Sequence, residues 1–167
     1  MKSKLIGITL LGFAAIASAG SLKSDMDAMN KVAAKFIMKK DGAGFAKAVK
    51  ARMTPDFKYV EGGRTMSFDE MAAQMKMGLA MFTKVTSATT KVISVKEKGD
   101  TGESVVSHSI IGTMMGKDKK SHKVVMSGKS TDTYKKVKGV WMMSKMSWTD
   151  SKMTMDGKAM DPSQMGG

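Results

Sequence analysis

The residues best suited to acid–base chemistry lie along strand-like stretches in the second half of the chain. When each predicted hairpin is paired simply about its turn, His108, Asp132 and Lys145 fall on one sheet face. Asp132 then lies opposite Lys145, and we expect the two charges to neutralise each other. His108 has no predicted partner. It is either a hydrogen-bonded residue at a solvated rim or a pocket residue that binds or moves a proton.

The same pairing divides the apolar side chains between the two faces of the sheet. It places Tyr134 opposite Met143 and Lys136 opposite Trp141. The more apolar face is expected to pack against helices, and it contains Val106, His108, Ile110, Met126, Tyr134, Trp141 and Met143. The other face is half polar, but it carries apolar residues that a homodimer would cover, namely Met142, Met146 and Trp148. A one-residue bulge would exchange the faces.

Other common site chemistry has little basis in the sequence. The chain has no Cys, so it forms no disulfide and has no thiol chemistry. It contains no phosphate-binding loop, no dinucleotide fingerprint and no zinc-ligand spacing. The only two histidines are His108 and His122, and they do not meet in the predicted register. We therefore expect no metal and no other cofactor.

Methionine is unusually frequent, with 20 residues in the chain. Thioether sulfur is a soft ligand for copper(I), and Met71, Met75, Met77 and Met81 are the closest to a cluster. Met77 and Met81 do not share the helical face of the other two. Because leucine is scarce after the first residues, we interpret methionine mainly as an adaptable core residue that takes the place of Leu and Ile.

The N-terminal sequence predicts export. Lys2 and Lys4 precede an apolar run at residues 5–16, which is too short to span a bilayer comfortably. Residues 17–19 read Ala-Ser-Ala, the pattern of a signal-peptidase site. We therefore predict a signal peptide at residues 1–19 and a periplasmic or extracellular mature chain. The domain then occupies residues 20–150, and residues 151–167 form a flexible tail.

The basic charge does not indicate a nucleic-acid partner. The formal net charge is +13, almost all of it from dispersed lysines, since only Arg52 and Arg64 are arginine. Readers of nucleic acids favour arginine forks and aromatic stacking platforms. A solvated basic surface is the simpler interpretation, with weak attraction to anionic lipids or polymers.

Local signals predict three helices and five strands. Ser24 and Asp41 are expected to cap the first two helices, and Ser67 with Glu70 forms a capping box at the start of the third. Alternating Phe57 and Tyr59 predict a short strand before it. Four long strands then follow in series, at residues 85–98, 103–115, 121–136 and 140–150. The expected fold class is α+β, with N-terminal helices packed on a curved antiparallel meander sheet.

This order of elements, ending in the residues D-T-Y-K-K-V-K-G-V-W, resembles the nuclear transport factor 2-like superfamily. The similarity covers residues 24–150 and is greatest to SnoaL-like and ketosteroid-isomerase-like domains, whose motif falls on Asp132, Tyr134, Lys136, Gly139 and Trp141. The resemblance implies a cone with a pocket between the sheet and the helices, and often a dimer. Its enzymes include isomerases, cyclases and dehydratases, and many members have no known catalysis.

Two functions follow as expectations. The first is a non-catalytic, exported module that binds a small apolar or amphipathic ligand in the cone. The second is an enzyme of the isomerase, cyclase or dehydratase type that uses His108 or an Asp as general base. The candidate pocket residues are the same for both, namely Tyr59, His108, Asp132, Tyr134, Trp141 and Lys145.

Overall fold

The computed structural model describes residues 20–160, which form an α+β domain as predicted. The predicted signal peptide at residues 1–19 lies outside this range, as do residues 161–167. The helices and strands within it are α1 Leu22–Met38, α2 Gly42–Lys50, β1 Met53–Glu61, β2 Arg64–Met66, α3 Phe68–Met81, β3 Phe82–Lys98, β4 Thr101–Met115, β5 Ser121–Val137, β6 Val140–Met155 and β7 Lys158–Met160.

Two of the three predicted helix caps are confirmed. The Ser67 hydroxyl accepts the Glu70 N–H at 3.3 Å, and the Glu70 carboxylate accepts the Ser67 N–H at 2.7 Å. Asp41 caps α2 by accepting the Gly44 N–H at 2.7 Å. The prediction for α1 was wrong, because its N-cap is Ser21 and not Ser24. The earlier start adds Leu22, which is fully buried, to the apolar face of the helix.

The seven strands form one sheet in the order β2-β1-β6-β5-β4-β3, with β7 also paired to β6. The predicted meander of β3 to β6 is confirmed. The strand β1 pairs in parallel with β6, which sequence patterns did not predict. Helices α1 and α3 both contact β3, and α2 packs against each of these two helices. The helical layer therefore covers one face of the sheet. No helix among residues 20–160 is both long and apolar enough to cross a membrane.

A bulge in β6 changes the predicted pairing of its central residues. Tyr134 lies opposite Met143 and Lys136 opposite Trp141, as predicted. The register then shifts, so that Lys145 lies opposite Thr133 and Asp132 lies opposite Met146. The predicted Asp132–Lys145 pair is therefore wrong. Lys145 is exposed, whereas Asp132 is only 1% exposed.

The same bulge turns Met146 and Trp148 toward the helices. Both side chains pack against the main core cluster. Their predicted position on the outer face was wrong, and of the three proposed interface residues only Met142 stays outside that cluster. Because successive side chains of a strand alternate between faces, one extra residue is enough to exchange them.

Residues 151–160 are part of the sheet and not of an irregular tail. Strand β6 continues to Met155, and β7 turns back to pair Met153 with Met160. The turn between these strands is held by His122 at the start of β5. Its Nδ1 lies 2.6 Å from Asp156 Oδ2, and its Nε2 lies 2.9 Å from Asp118 Oδ1. Hydrogen bonds to the Asp156 and Asp118 carboxylates raise the pKa of His122, and the same bonds lower the pKa of both carboxyls.

Trp148 lies on a glycine of the neighbouring strand. A Cβ atom added to Gly128 would lie 2.6 Å from the indole ring of Trp148. Gly128 also pairs directly with His108 across β4 and β5. The absence of a side chain at Gly128 therefore makes room for the indole beside His108.

We predict that His122→Ala lowers stability more at about pH 5.5 than at about pH 9. A histidine whose pKa is raised above 6.5 in the folded state contributes stability that is complete below 6.5. That contribution is lost as pH rises through the folded pKa. Urea denaturation of the wild type, His122→Ala and the neighbouring control Lys123→Ala measures the difference. Equal losses for His122→Ala at both pH values would show that His122 is not charged in the fold.

We predict that Gly128→Ala destabilises the domain by about 1–3 kcal/mol, because the added methyl group overpacks against Trp148. The matched control is Gly78→Ala in α3, where nothing lies within 4 Å of the added atom. That variant is expected to be more stable by about 0.5–1 kcal/mol, since alanine favours a helix over glycine. Chemical denaturation followed by tryptophan fluorescence gives both values. A neutral Gly128→Ala variant would contradict the packing of Trp148 on this strand.

Candidate functional site

The helical layer and the inner face of the sheet enclose a cavity of about 380 Å³. Residues from all three helices and from strands β1, β3, β4, β5 and β6 line it. Its wall is mainly apolar and rich in flexible thioethers, which come from Met29, Met53, Met71, Met75, Met126, Met143, Met146 and Met153. Methionine side chains adapt to irregular shapes, so this wall can accommodate ligands of different outline.

The structure brings four of the six candidate residues to the cavity. Tyr59, His108, Asp132 and Tyr134 line it. Trp141 is buried in the core cluster and lies outside the lining, with Lys136 Nζ 4.7 Å from its ring centroid. Lys145 is exposed, for the reason given above.

Asp132 is a carboxyl group buried at the cavity wall beside hydroxyl groups. Ser104 Oγ and Tyr134 OH each lie 3.5 Å from its Oδ2 atom. Burial raises the pKa of Asp132 to about 6, and the neighbouring hydroxyls of Ser130, Ser104 and Tyr134 oppose the increase. The pKa of Tyr134 is raised by burial and by the Asp132 charge. Asp132 is therefore largely ionised at neutral pH and can take up a proton just below it.

His108 extends this group along the sheet. Its Nε2 atom lies 2.9 Å from Ser130 Oγ, and its ring lies over Trp148 with centroids 4.7 Å apart. Burial lowers the pKa of His108 to about 4, so the imidazole is neutral at neutral pH. The result is a polar chain, formed by His108, Ser130, Asp132, Ser104 and Tyr134, inside an otherwise apolar layer.

Sequence reasoning missed the two serines of this chain. Ser104 lies opposite Asp132, and Ser130 lies opposite Val106, one position from His108 on the same face. Both are buried, at 2% and 0% exposed. Their place could be found by counting in steps of two from His108 and Asp132 along the strands. Serine alone gives no signal, because it is common on exposed strand faces.

Tyr59 belongs to a second polar group at the cavity. Its hydroxyl donates to Glu61 at 2.8 Å, and the Ser151 hydroxyl donates to the other oxygen of the same carboxylate at 2.7 Å. Burial and the Glu61 carboxylate raise the pKa of Tyr59. Tyr59 therefore stays protonated and is bonded to Glu61, and it does not join the Asp132 chain.

The arrangement can bind an apolar molecule and present proton acceptors to it. At neutral pH the His108 imidazole is uncharged and Asp132 is mostly a carboxylate, so both can accept a proton. Among residues 20–160, no group of three or more acidic or histidine side chains is arranged to hold a metal ion.

No family model matches the sequence, and no curated protein matches it either. Solved structures do match the fold. A putative scytalone dehydratase from Novosphingobium aromaticivorans is 13% identical, with a TM-score of 0.62 over 79% of this chain and 85% of that chain. A type 2 hexachlorocyclohexane dehydrochlorinase is 14% identical, with a TM-score of 0.61 over 80% and 87%.

A third matching structure is described by the name of the fold. It is a protein of unknown function from Shewanella oneidensis, described as NTF-2 like, and it is 12% identical with a TM-score of 0.54 over 77% of this chain and 98% of that chain. At such low identity these likenesses concern the fold, and they confirm the fold that the sequence resemblance implied. The chain has the nuclear transport factor 2-like fold.

Proposed function

We propose that this protein binds a small, uncharged, apolar or amphipathic ligand in its cavity. The observation that carries the proposal is the cavity of about 380 Å³ with a mainly apolar wall and few polar groups. Ligand sites commonly have about 300–1,000 Å³ and a few placed polar groups that orient the ligand. The cavity is at the lower end of this range, which suits one compact ring system or a short chain.

The charges around the cavity disfavour an anionic ligand. Asp132 is buried in the wall and carries negative charge at neutral pH, while His108 is neutral. Glu61 is engaged by Tyr59 and Ser151. The one lysine of the lining, Lys152, is exposed to solvent, so it gives weak attraction at most to an anionic group.

The proposal also includes the compartment of the protein, its oligomeric state and its attraction to anionic surfaces. The N-terminal sequence supports export to the periplasm or beyond. With Met146 and Trp148 turned inward, a homodimer is supported only by other exposed apolar strand residues, such as Ile93 and Met115. The net charge of +13 supports weak attraction to anionic surfaces.

We predict that the neutral fluorophore N-phenyl-1-naphthylamine binds the wild type and that Ala34→Phe weakens this binding by about tenfold or more. Ala34 lines the cavity from α1, so a phenyl ring at this position occupies ligand space. The matched control is Ala28→Phe on the exposed face of the same helix, which is expected to bind like the wild type. Fluorescence titration gives the affinities. Equal binding by all three proteins, or no binding by the wild type, would refute a ligand site in the cavity.

A second candidate function is catalysis of isomerisation or elimination, with His108 or Asp132 as general base. The specific support is the placement of both residues at the apolar cavity, where Ser130 bonds to His108 and lowers the pKa of Asp132. Two proteins with similar folds are described as a putative dehydratase and a dehydrochlorinase. Both descriptions name eliminations, which in general need a base near an acidic C–H bond.

The catalytic proposal predicts exchange of carbon-bound hydrogen in a ketone such as 2-tetralone in D₂O. The base takes the proton next to the carbonyl group, and deuterium from solvent returns to the same carbon. His108→Phe or Asp132→Asn is expected to lower the exchange rate by about a hundredfold, whereas the cavity control Met126→Leu is expected to keep it.

The pH dependence of exchange identifies the base, because only the deprotonated form is active. A rate that rises with a midpoint near 6 indicates Asp132, and a midpoint near 4 indicates His108. Proton NMR of the ketone follows the reaction. If the wild type exchanges no faster than buffer with any of several cyclic ketones, the binding function alone is supported.

A further inference from the structure

Ser130 stands between the two titratable residues of the polar chain. It is completely buried, and its hydroxyl oxygen lies 2.9 Å from His108 Nε2. It stands two residues before Asp132 on the same face of β5, and as a neighbouring hydroxyl it lowers the pKa of that carboxyl. A serine hydroxyl has one hydrogen to donate and two lone pairs to accept. It can therefore give its hydrogen to only one of these two neighbours at a time.

The Asp132 carboxylate is a stronger acceptor for the Ser130 hydrogen than the neutral His108 imidazole. A hydrogen bond to an ionised acceptor is roughly twice as strong as one between neutral groups. The Asp132 Oδ1 atom is buried, and no residue among 20–160 gives it a hydrogen bond of ordinary geometry. A buried acceptor without a donor is costly, so the Ser130 hydrogen stabilises the structure most when it is directed to Asp132. The Ser130 oxygen then accepts a hydrogen bond from His108 Nε2–H.

The direction of the Ser130–His108 hydrogen bond determines which imidazole nitrogen of His108 is left as an acceptor at the cavity. A neutral imidazole carries one N–H, so a proton on Nε2 leaves Nδ1 as an acceptor. Nδ1 forms no hydrogen bond to residues 20–160, and the ring lines the cavity. Stacking on Trp148 limits rotation of the ring. An acceptor in an apolar cavity favours a ligand that brings a donor.

We infer that Ser130 is a positioning residue that holds His108 with its proton on Nε2. The cavity then selects apolar ligands that carry a hydroxyl group over ligands of the same shape that can only accept a hydrogen bond. This inference rests on the proposed ligand-binding function for its second part, whereas the role of Ser130 is measurable without any ligand.

The role of Ser130 is tested by long-range ¹H–¹⁵N NMR of the imidazole rings at about pH 7.5. The chain has only two histidines, so the spectrum is simple, and His122→Ala assigns it. For His108 we expect a protonated Nε2 and a bare Nδ1.

Ser130→Ala is expected to change the His108 ring shifts and tautomer ratio. The matched control Ser104→Ala removes an equally buried hydroxyl that contacts Asp132 but not His108, and it is expected to leave them unchanged. A proton on Nδ1 in the wild type, or equal effects of both variants, would overturn the inference.

The selectivity is tested by displacement of N-phenyl-1-naphthylamine with three probes, 2-naphthol, 2-methoxynaphthalene and 2-ethylnaphthalene. We expect 2-naphthol to bind about five- to tenfold tighter than the other two, and Ser130→Ala to remove most of this preference. The methoxy and ethyl compounds have similar shapes and are expected to bind alike. Tighter binding of the methoxy compound than of the ethyl compound would overturn the selectivity. Failure of all three to bind would contradict the proposed binding function, while the NMR result would still decide the role of Ser130.

Discussion

The site depends on one constraint, a buried carboxyl group that forms no ion pair with a cationic side chain of residues 20–160. Asp132 is 1% exposed, and the bulge in β6 places Lys145 opposite Thr133, where it is exposed. Hydroxyl groups therefore take the place of an ion pair. They do not fully offset burial, since the pKa of Asp132 rises from 3.8 to about 6, a difference that corresponds to about 3 kcal/mol. Because the pKa of Asp132 is higher in the folded state, the fold loses stability as pH rises from about 3.8 to about 6.

The same bulge determines the rest of the cavity wall. By shifting the register of β6, it turns Met146 and Trp148 inward. Trp148 occupies the space that Gly128 leaves and stacks on His108, which is linked through Ser130 to Asp132. A local irregularity of one strand thus produces an aromatic and polar surface inside an apolar cavity. This surface is what gives the proposed binding site a means of orienting a ligand.

The features that depend on neighbouring residues were predictable from the sequence. The caps at Asp41 and Ser67 and the hairpin turn before Trp141 rest on short-range chemistry, and the structure confirms them. The bulge beyond Met143 was not predictable, because its energy depends on packing and pairing across three strands. The parallel pairing of β1 with β6, the strand at residues 151–155 and the role of Ser130 were missed for the same reason. Tyr134 was correctly assigned to the inner face, whereas Lys145 was not.

The ionisation of Asp132 is the most direct test of this account. Titration of the Asp132 side-chain carboxyl carbon by ¹³C NMR reports its pKa in the intact protein. We predict a midpoint near 6, as expected for a carboxyl group buried among hydroxyl groups without a cation. A midpoint at or below its ordinary value of 3.8 would mean that Asp132 is solvated or paired with a lysine. That result would contradict the register of β6 and the polar chain built on it.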